Sequence, residues 1–399
     1  MRVLVVAQYF PPDMGGGATR AHNVAKGLSL VGCDVTVVTA FPHYPTGNIP
    51  KKYRRRLLTV ESEGNIKVIR TFVPPLASKG FINRLLLFSS FVLSSILALP
   101  FTKKVDATWA ANPNVIAVFP SLFYGLVNRC PVFQNVDDLW PETLYDLGLN
   151  KTSPPARFFE LMARITYCLS SGITSLSPGY VNVIETKYGI SRNKISVVYV
   201  GVDPDQFCNT KEPTKKERFR VLYIGSFSPA YNFDQILKAA QRLSSSNVEF
   251  VIQGGGELAH ELKCKIQETG LNNIRLIEKI VSRGEVAEIM AQADALILPL
   301  NGGGSIEMGI SSKIYEYQAA GKPIICCSNG ETSRYVLETK SGLVVKPGDI
   351  EMLVNSICYL MKNPDFAQEL GNSGKNYALN NLSIKQIGLK MKKIMATAS

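Results

Sequence analysis

The chain has 399 residues, 46% hydrophobic and 19% charged, which suffices for two domains with sizeable cores and excludes a disordered or fibrous protein. Its 44 Lys and Arg against 32 Asp and Glu leave a formal charge of +12, which suits an anionic partner such as nucleic acid, anionic lipid or a phosphorylated small molecule. Eight cysteines without a C-x-x-C and three histidines outside metal-ligand spacing point to free thiols in a reducing compartment and to no structural metal.

The opening MRVLVVAQYF has no long apolar signal core and reads as a first strand over Val3–Ala7. A turn-rich loop, QYFPPDMGGGATR, leads into a helix ending at Leu30. Ala21, Val24, Ala25 and Leu28 recur there at helical spacing, and the strand DVTVVTA follows. Two apolar strands around one helix form a βαβ unit and predict a parallel sheet. IKVIRTF, DATWAA, CPVFQNV, SGITSLS and KISVVYV extend the series of strands.

Within this half, Leu85–Phe101 (LLLFSSFVLSSILALPF) carries no charge. It is shorter than the roughly 20 residues of a spanning helix. Arg54, Arg55, Arg56, Lys79, Arg84, Lys103 and Lys104 surround it, a pattern suited to an anionic membrane surface. The plainer alternative is a buried core helix.

The polar stretch Asp203–Arg218 separates this half from a second one. There RVLYIGSFS, a helix over Phe233–Leu243, VEFVIQGGG, IRLIE, ADALILPL and KPIICCS repeat the α/β alternation. The predicted organisation is a first Rossmann-like domain over 1–202 and a linker over 203–218. A second such domain covers 219–378, and a basic C-terminal helix over 379–399 packs back on the first. Open α/β sheets bind ligands beyond the carboxyl ends of their strands, so two such domains facing across a cleft predict a site there.

Three glycine loops follow strands: Gly15-Gly16-Gly17, Gly225-Ser226 and Gly254-Gly255-Gly256. Glycine lets backbone approach a phosphate closely. None needs more than turn chemistry taken singly, and the first is not the dinucleotide fingerprint. The segment GISSKIYEYQAAGKPII adds two charges. Ser311 or Ser312 is placed to cap a short helix, with Gly321 and Pro323 ending it. Glu316 falls outside a capping box from either serine. A solvated Lys313–Glu316 pair would contribute only about 0.2–0.5 kcal/mol. A phosphate beside Lys313 and a ribose on Glu316, one turn along, describe a nucleotide.

Taken together, these stretches resemble the retaining GT-B glycosyltransferases of the family-four type, also called group 1. FPPDMGGGATRAHNVAKGLSLVGCDVTVVT is similar to that family's opening, VGVDPDQF to its interdomain motif, and ADALILPL, EYQAAGKPII and SGLVVKPGD to its later signature. NVDDLWPET and the apolar stretch before it look like enzymes of O-antigen, capsule or colanic-acid assembly. The resemblance implies two doubly wound domains and a nucleotide-diphosphate sugar, by family habit UDP-linked, as substrate rather than cofactor. It further implies a lipid-linked saccharide acceptor, no metal, and a cytoplasmic enzyme held peripherally at the inner face of the cell membrane.

The resemblance places Glu316 and the loop at Gly309, Ile310, Ser311 and Ser312 on the donor, and the reading of the glycine loops and the helix start adds Gly16, Gly17, Gly225, Ser226, Gly254, Gly255, Lys313 and Ile314. Asp137, Asp138 and Lys313 are the catalytic candidates. The family's first glutamate falls on Met308, with Glu307 one place off. Its Arg and Lys positions are Ser226 and Tyr231, and its His-Asp pair is Asp137-Asp138. Lys313 is therefore expected to neutralise the diphosphate. Two other readings stand beside this one: a nucleotide-sugar epimerase on the same fold, and a nucleic-acid-binding protein. The latter lacks any recognisable RNA- or DNA-binding motif.

Overall fold

The computed structural model describes residues 1–44, 46–77, 81–112, 115–146, 148–208 and 217–397. Lys79 and residues 209–216, half of the expected linker, lie outside these residues. The chain forms two compact units, Met1–Gly201 with Ile384–Ser399, and Val202–Ser383. Both are open α/β sheets of Rossmann-like order, as expected.

The first unit carries β1 (Arg2–Ala7), β2 (Asp34–Ala40), β3 (Leu58–Glu63), β4 (Ile66–Thr71), β5 (Ala107–Asn112), β6 (Val132–Val136), β7 (Gly172–Ser175) and β8 (Ile195–Val197). Their order is β3-β4-β2-β1-β5-β6-β7-β8. Every pairing is parallel except the β3–β4 hairpin at the edge. β1 sits inside the sheet with a helix layer on each face, so Val3, Leu4, Val5 and Val6 are all fully buried. The Gly16–Leu30 helix lays Ala21, Val24, Ala25 and Leu28 into the core that contains Val3, Val5, Val35 and Val37. These are the four positions whose spacing announces the helix.

The Ile384–Ala396 helix belongs to this first unit. Its Ile387, Met391 and Met395 join the same core. Gly27 and Gly388 bring the two helix backbones together: a Cβ on Gly388 would lie 2.1 Å from the Gly27 carbonyl oxygen. Residues 379–381 are the end of a different helix, Pro364–Asn381, which stays with the second unit.

The second unit carries β9 (Phe219–Ser226), β10 (Val248–Gly255), β11 (Ile274–Ile277), β12 (Ala295–Pro299), β13 (Ile324–Cys327) and β14 (Gly342–Val345). Their order is β11-β10-β9-β12-β13-β14, all parallel. The strand order reverses between β9 and β12, so the carboxyl end of β9 lies beside the crevice where such sheets hold ligands.

The apolar stretch after residue 80 is a helix, Phe81–Ile96, with two faces. Leu87, Phe88, Phe91, Ser94 and Ser95 are buried against the unit, and Ser94 Oγ donates to Thr71 Oγ1 at 3.1 Å. Ile82, Leu85, Leu86, Leu93 and Ile96 face outward, and Leu97 just beyond is also exposed. The helix is thus a core element on one face and carries exposed apolar side chains on the other. Among the described residues no helix is long and apolar enough to cross a membrane.

Candidate active site

In the second unit the site is built at the ends of β9 and β10. Gly225 and Gly254 are register partners with φ of 148° and 147°. A Cβ on Gly254 would lie 1.8 Å from the Gly225 carbonyl oxygen, so the two strand ends approach as only glycine allows. A Cβ on Gly225 would instead meet Lys313, 2.0 Å from Nζ and 2.4 Å from Cε. The Lys313 ammonium thus occupies the space that the missing side chain leaves. It also lies 5.8 Å from the ring centroid of Tyr223 and 5.3 Å from that of Tyr231, within cation–π range of both.

Lys313 opens the short Lys313–Ala319 helix. Ser312 stands at the cap position, but its side chain makes no capping bond and its backbone is already helical. Gly321, with φ 69°, follows the Ala320 C-cap. Ile314 is wholly buried and Ile310 nearly so, so these two can offer a ligand only backbone. The loop Gly309–Ser312 is pinned by buried Thr332. Its Oγ1 donates to the Gly309 carbonyl at 3.2 Å and accepts from the Ser311 N–H at 3.2 Å. Glu307, one place off position 308, is engaged within its own loop. Its Oε1 accepts from Gly303 N at 2.8 Å and Asn329 Nδ2 at 3.2 Å, closing the loop on itself.

The first unit has its own pocket, about 310 Å³ in volume, lined by Gly15–Gly17, Tyr9, Tyr44, Arg84, Asp137, Asp138 and Trp140, among others. Gly16 and Gly17 therefore join the two aspartates here, whereas Gly225, Ser226, Gly254, Gly255, Gly309–Ile314 and Glu316 belong to the second unit. Trp140 packs edge-on against Phe88 and Phe159, as a loop-packing residue would. Asp13 ties the loops of this pocket together, its Oδ1 accepting from the backbone N–H groups of His43 and Tyr44 at 2.8 Å each.

Burial pushes the Asp137 carboxyl above its ordinary range, and nearby Arg20 and a hydrogen bond from Asn135 oppose that push. Asp138 is pushed up to about 6, first by crowding of the loop around it and then by the charge of Asp137. Its side chain opens to pocket water, which screens part of this effect. Two adjacent carboxyls with unequal surroundings can divide the tasks of anion and proton carrier. Among the described residues no group of three His, Cys, Asp or Glu side chains is arranged to hold a metal ion.

Sequence patterns did not single out Thr332, Tyr223 or Arg20. Each acts through a partner far along the chain, and no local period or spacing marks such a contact.

The model of "Glycosyltransferase Family 4" matches residues 14–206, and that of "Glycosyl transferases group 1" matches residues 206–377. The two models adjoin in chain order, and the chain belongs to the group 1 glycosyltransferases of GT-B fold. It is 22% identical over 381 residues to a putative colanic acid biosynthesis glycosyl transferase, WcaI, of Escherichia coli, covering 90% of this chain and 91% of that protein. It is 23% identical over 210 residues to a GDP-mannose-dependent alpha-(1-6)-phosphatidylinositol monomannoside mannosyltransferase of Mycolicibacterium smegmatis. That match covers 49% of this chain and about half the length of the relative, 54%. Among solved structures, Anabaena Alr3699/HepE in complex with UDP and glucose superposes with a TM-score of 0.68 at 16% identity, covering 100% of both chains. These matches to glycosyltransferases do not favour the epimerase or nucleic-acid readings.

Proposed function

We propose that the protein transfers a sugar, with retention at the anomeric carbon, from a UDP-sugar to a lipid-linked saccharide in surface polysaccharide assembly. The observation that carries this reading is the Lys313 ammonium seated beside Gly225. Breaking the sugar–phosphate bond builds charge on the departing diphosphate, and a fixed cation beside close-approaching backbone stabilises that charge. Ser226 and Tyr231 cannot supply it, and Lys313 reaches into the space next to both positions. Glu316, one helical turn on, is suited to the ribose hydroxyls. Asp137 or Asp138 orients the attacking hydroxyl in the pocket of the first unit. The neighbour with UDP and glucose supports the donor class, and the relative named for a phosphatidylinositol mannoside supports a lipid-borne acceptor.

In this reading Lys313 replaces a metal at the leaving group, so transfer should survive chelation with EDTA. The outward face of the Phe81–Ile96 helix rests on an anionic membrane at the cytoplasmic side. Hexose and N-acetylaminosugar are both compatible with a site of this kind.

The test is a thermal-shift series with UDP, GDP and ADP, followed by the sugar nucleotides of the base that stabilises most. UDP is expected to raise the melting temperature, and Lys313→Ala to remove most of the rise. If none of the three stabilises the parent, the reading fails. Product anomeric configuration, read by proton NMR, decides retention.

A further inference from the structure

Arg20 lies in the Gly16–Leu30 helix, four residues beyond the pocket glycine Gly16, and is only 1% exposed. A guanidinium cannot shed its charge, so burial requires hydrogen bonds and a counter-charge. It donates to the carbonyl of Tyr199, to that of Val198 at 2.7 Å and to Asn135 Oδ1 at 3.1 Å. Its Nε stands 3.8 Å from Asp137 Oδ1. Asn135 is also fully buried. Its Oδ1 accepts from Thr174 Oγ1 at 2.9 Å, which fixes the amide so that Nδ2 donates to Asp137 Oδ1 at 2.6 Å. Both contacts fall on the same carboxylate oxygen. Asp137 Oδ2 is itself buried and has no hydrogen-bond partner among the described residues, and the side chain, 13% exposed, lines the pocket.

We propose that Arg20 and Asn135 are positioning residues for Asp137, gripping Oδ1 from within the fold so that Oδ2 is the oxygen presented to the acceptor hydroxyl. This rests on the reading of Asp137 as an acceptor-side group. The arrangement explains why an arginine is buried at this point of a helix whose neighbours are Ala and Gly. It links three elements: the helix behind the glycine loop and the end of β6, which line the pocket, and the segment after β8 behind them. It also separates the two aspartates, because Asp137 has a cation and an amide N–H behind it and Asp138 has Asp137 as its neighbour. Among the described residues, charged or titratable groups near this cluster include Tyr180, which feels both carboxyls, Lys390, whose ammonium is disfavoured first by burial and then by Arg20, and Arg84 at the pocket wall.

The test compares Arg20→Gln, Arg20→Lys and Asn135→Ala in the full chain. The first readout is the titration of the Asp137 carboxyl followed by carbon-13 NMR, assigned with Asp137→Asn. Removing the cation is expected to raise its midpoint by about one pH unit or more, Asn135→Ala to raise it less, and Arg20→Lys to restore most of the parental value. The second readout is the pH profile of UDP release from UDP-glucose, whose acid limb should move up with the midpoint while the KM for UDP-glucose stays within about twofold. A structural role alone would lower the melting temperature and the amplitude, and would leave the limb in place. An unmoved midpoint overturns the inference, and so does a moved midpoint with an unmoved limb. If Arg20→Gln does not fold, Asn135→Ala carries the same two outcomes. A parent that releases no UDP refutes the donor reading, while the titration still decides whether Arg20 and Asn135 hold Asp137.

Discussion

Lys313 Nζ lies 5.3 Å from the ring centroid of Tyr231, in the space that Gly225 leaves open. The family resemblance puts a lysine at position 231; here an aromatic ring stands there and the ammonium arrives from another element. The Tyr223 and Tyr231 rings hold the cation without neutralising it, which leaves its charge for an anion. Lys313→Ala is expected to lower kcat by about 10²–10³-fold, the size typical of losing one such stabilising group. Gly225→Ala should act in the same direction but more weakly, because the new methyl displaces the flexible end of the lysine. Glu316→Gln should raise KM more than it lowers kcat. Steady-state kinetics on variants that melt like the parent provide the check. Parental kcat in Lys313→Ala would mean that another cation faces the diphosphate.

Asp138 gives a pH prediction with a definite sign. Crowding of the loop and the charge of Asp137 push its folded carboxyl up to about 6 from the ordinary value of 3.8, a rise that solvent at the exposed side chain reduces in part. The folded state therefore binds the proton more tightly than the unfolded chain between those two values. Stability from this group is fully present below about pH 4 and is lost as pH rises through about 6. Activity runs the opposite way if the ionised carboxylate orients the acceptor: it falls as pH drops below 6. Asp138→Asn should flatten the pH dependence of the melting temperature in this window. An unchanged slope between pH 4 and 6 would remove Asp138 as its source.

The Phe81–Ile96 helix offers a test of membrane docking that leaves the core intact. Leu86 and Leu93 are 50% and 69% exposed, whereas Phe91 is fully buried and any charge placed there attacks the fold itself. Leu86→Asp with Leu93→Asp removes two apolar contacts and adds two charges that an anionic surface repels. Sedimentation with vesicles containing phosphatidylglycerol should show parental binding that weakens as salt rises, and about tenfold or greater loss in the double variant. Equal sedimentation of parent and variant would place the membrane contact elsewhere, or nowhere.

What could be read from the sequence follows from the range of each signal. The Val3–Ala7 run and the Ala21, Val24, Ala25, Leu28 stripe are local periods, and both elements form where those periods lie. Leu58–Glu63 carries no strand signal in the sequence because it is an exposed antiparallel edge with four polar or charged residues in six. Lys313 and Glu316 stood out as charges at the start of a short helix. The tyrosine pair around Lys313 comes from β9 and the loop after it, more than 80 residues earlier, and had no local mark. The same holds for Arg20 and Asn135, whose contact spans 115 residues. Periodicity reveals which face is buried, and long-range polar contacts appear only once the sheet is assembled.

Gly27 and Gly388 set the last expectation. A Cβ on Gly388 would lie 2.1 Å from the Gly27 carbonyl oxygen and 2.3 Å from its carbon, and one on Gly27 would lie 2.5 Å from the Ile384 carbonyl oxygen. All of these atoms are backbone, so no side chain can swing aside. Alanine in a helix interior gains up to about 1 kcal/mol over glycine, which alone would make Gly388→Ala stabilising. Here the two helices must part, which loosens Ile387, Met391 and Met395 from the core they share with Val24 and Leu28. Overpacking of this kind costs about 1–3 kcal/mol, and each loosened side chain forfeits part of the roughly 1.5–3 kcal/mol of its burial. The clash therefore outweighs the propensity gain. Gly388→Ala should lower the melting temperature of the first unit by several degrees, and Gly388→Leu should expose residues 384–397 to limited proteolysis. Gly284→Ala is the control: it lies in a helix, its Cβ would meet nothing within 4 Å, and it should be neutral or slightly stabilising. If Gly388→Ala melts at or above the parent while the C-terminal helix stays protected, the two backbones have room that their spacing denies.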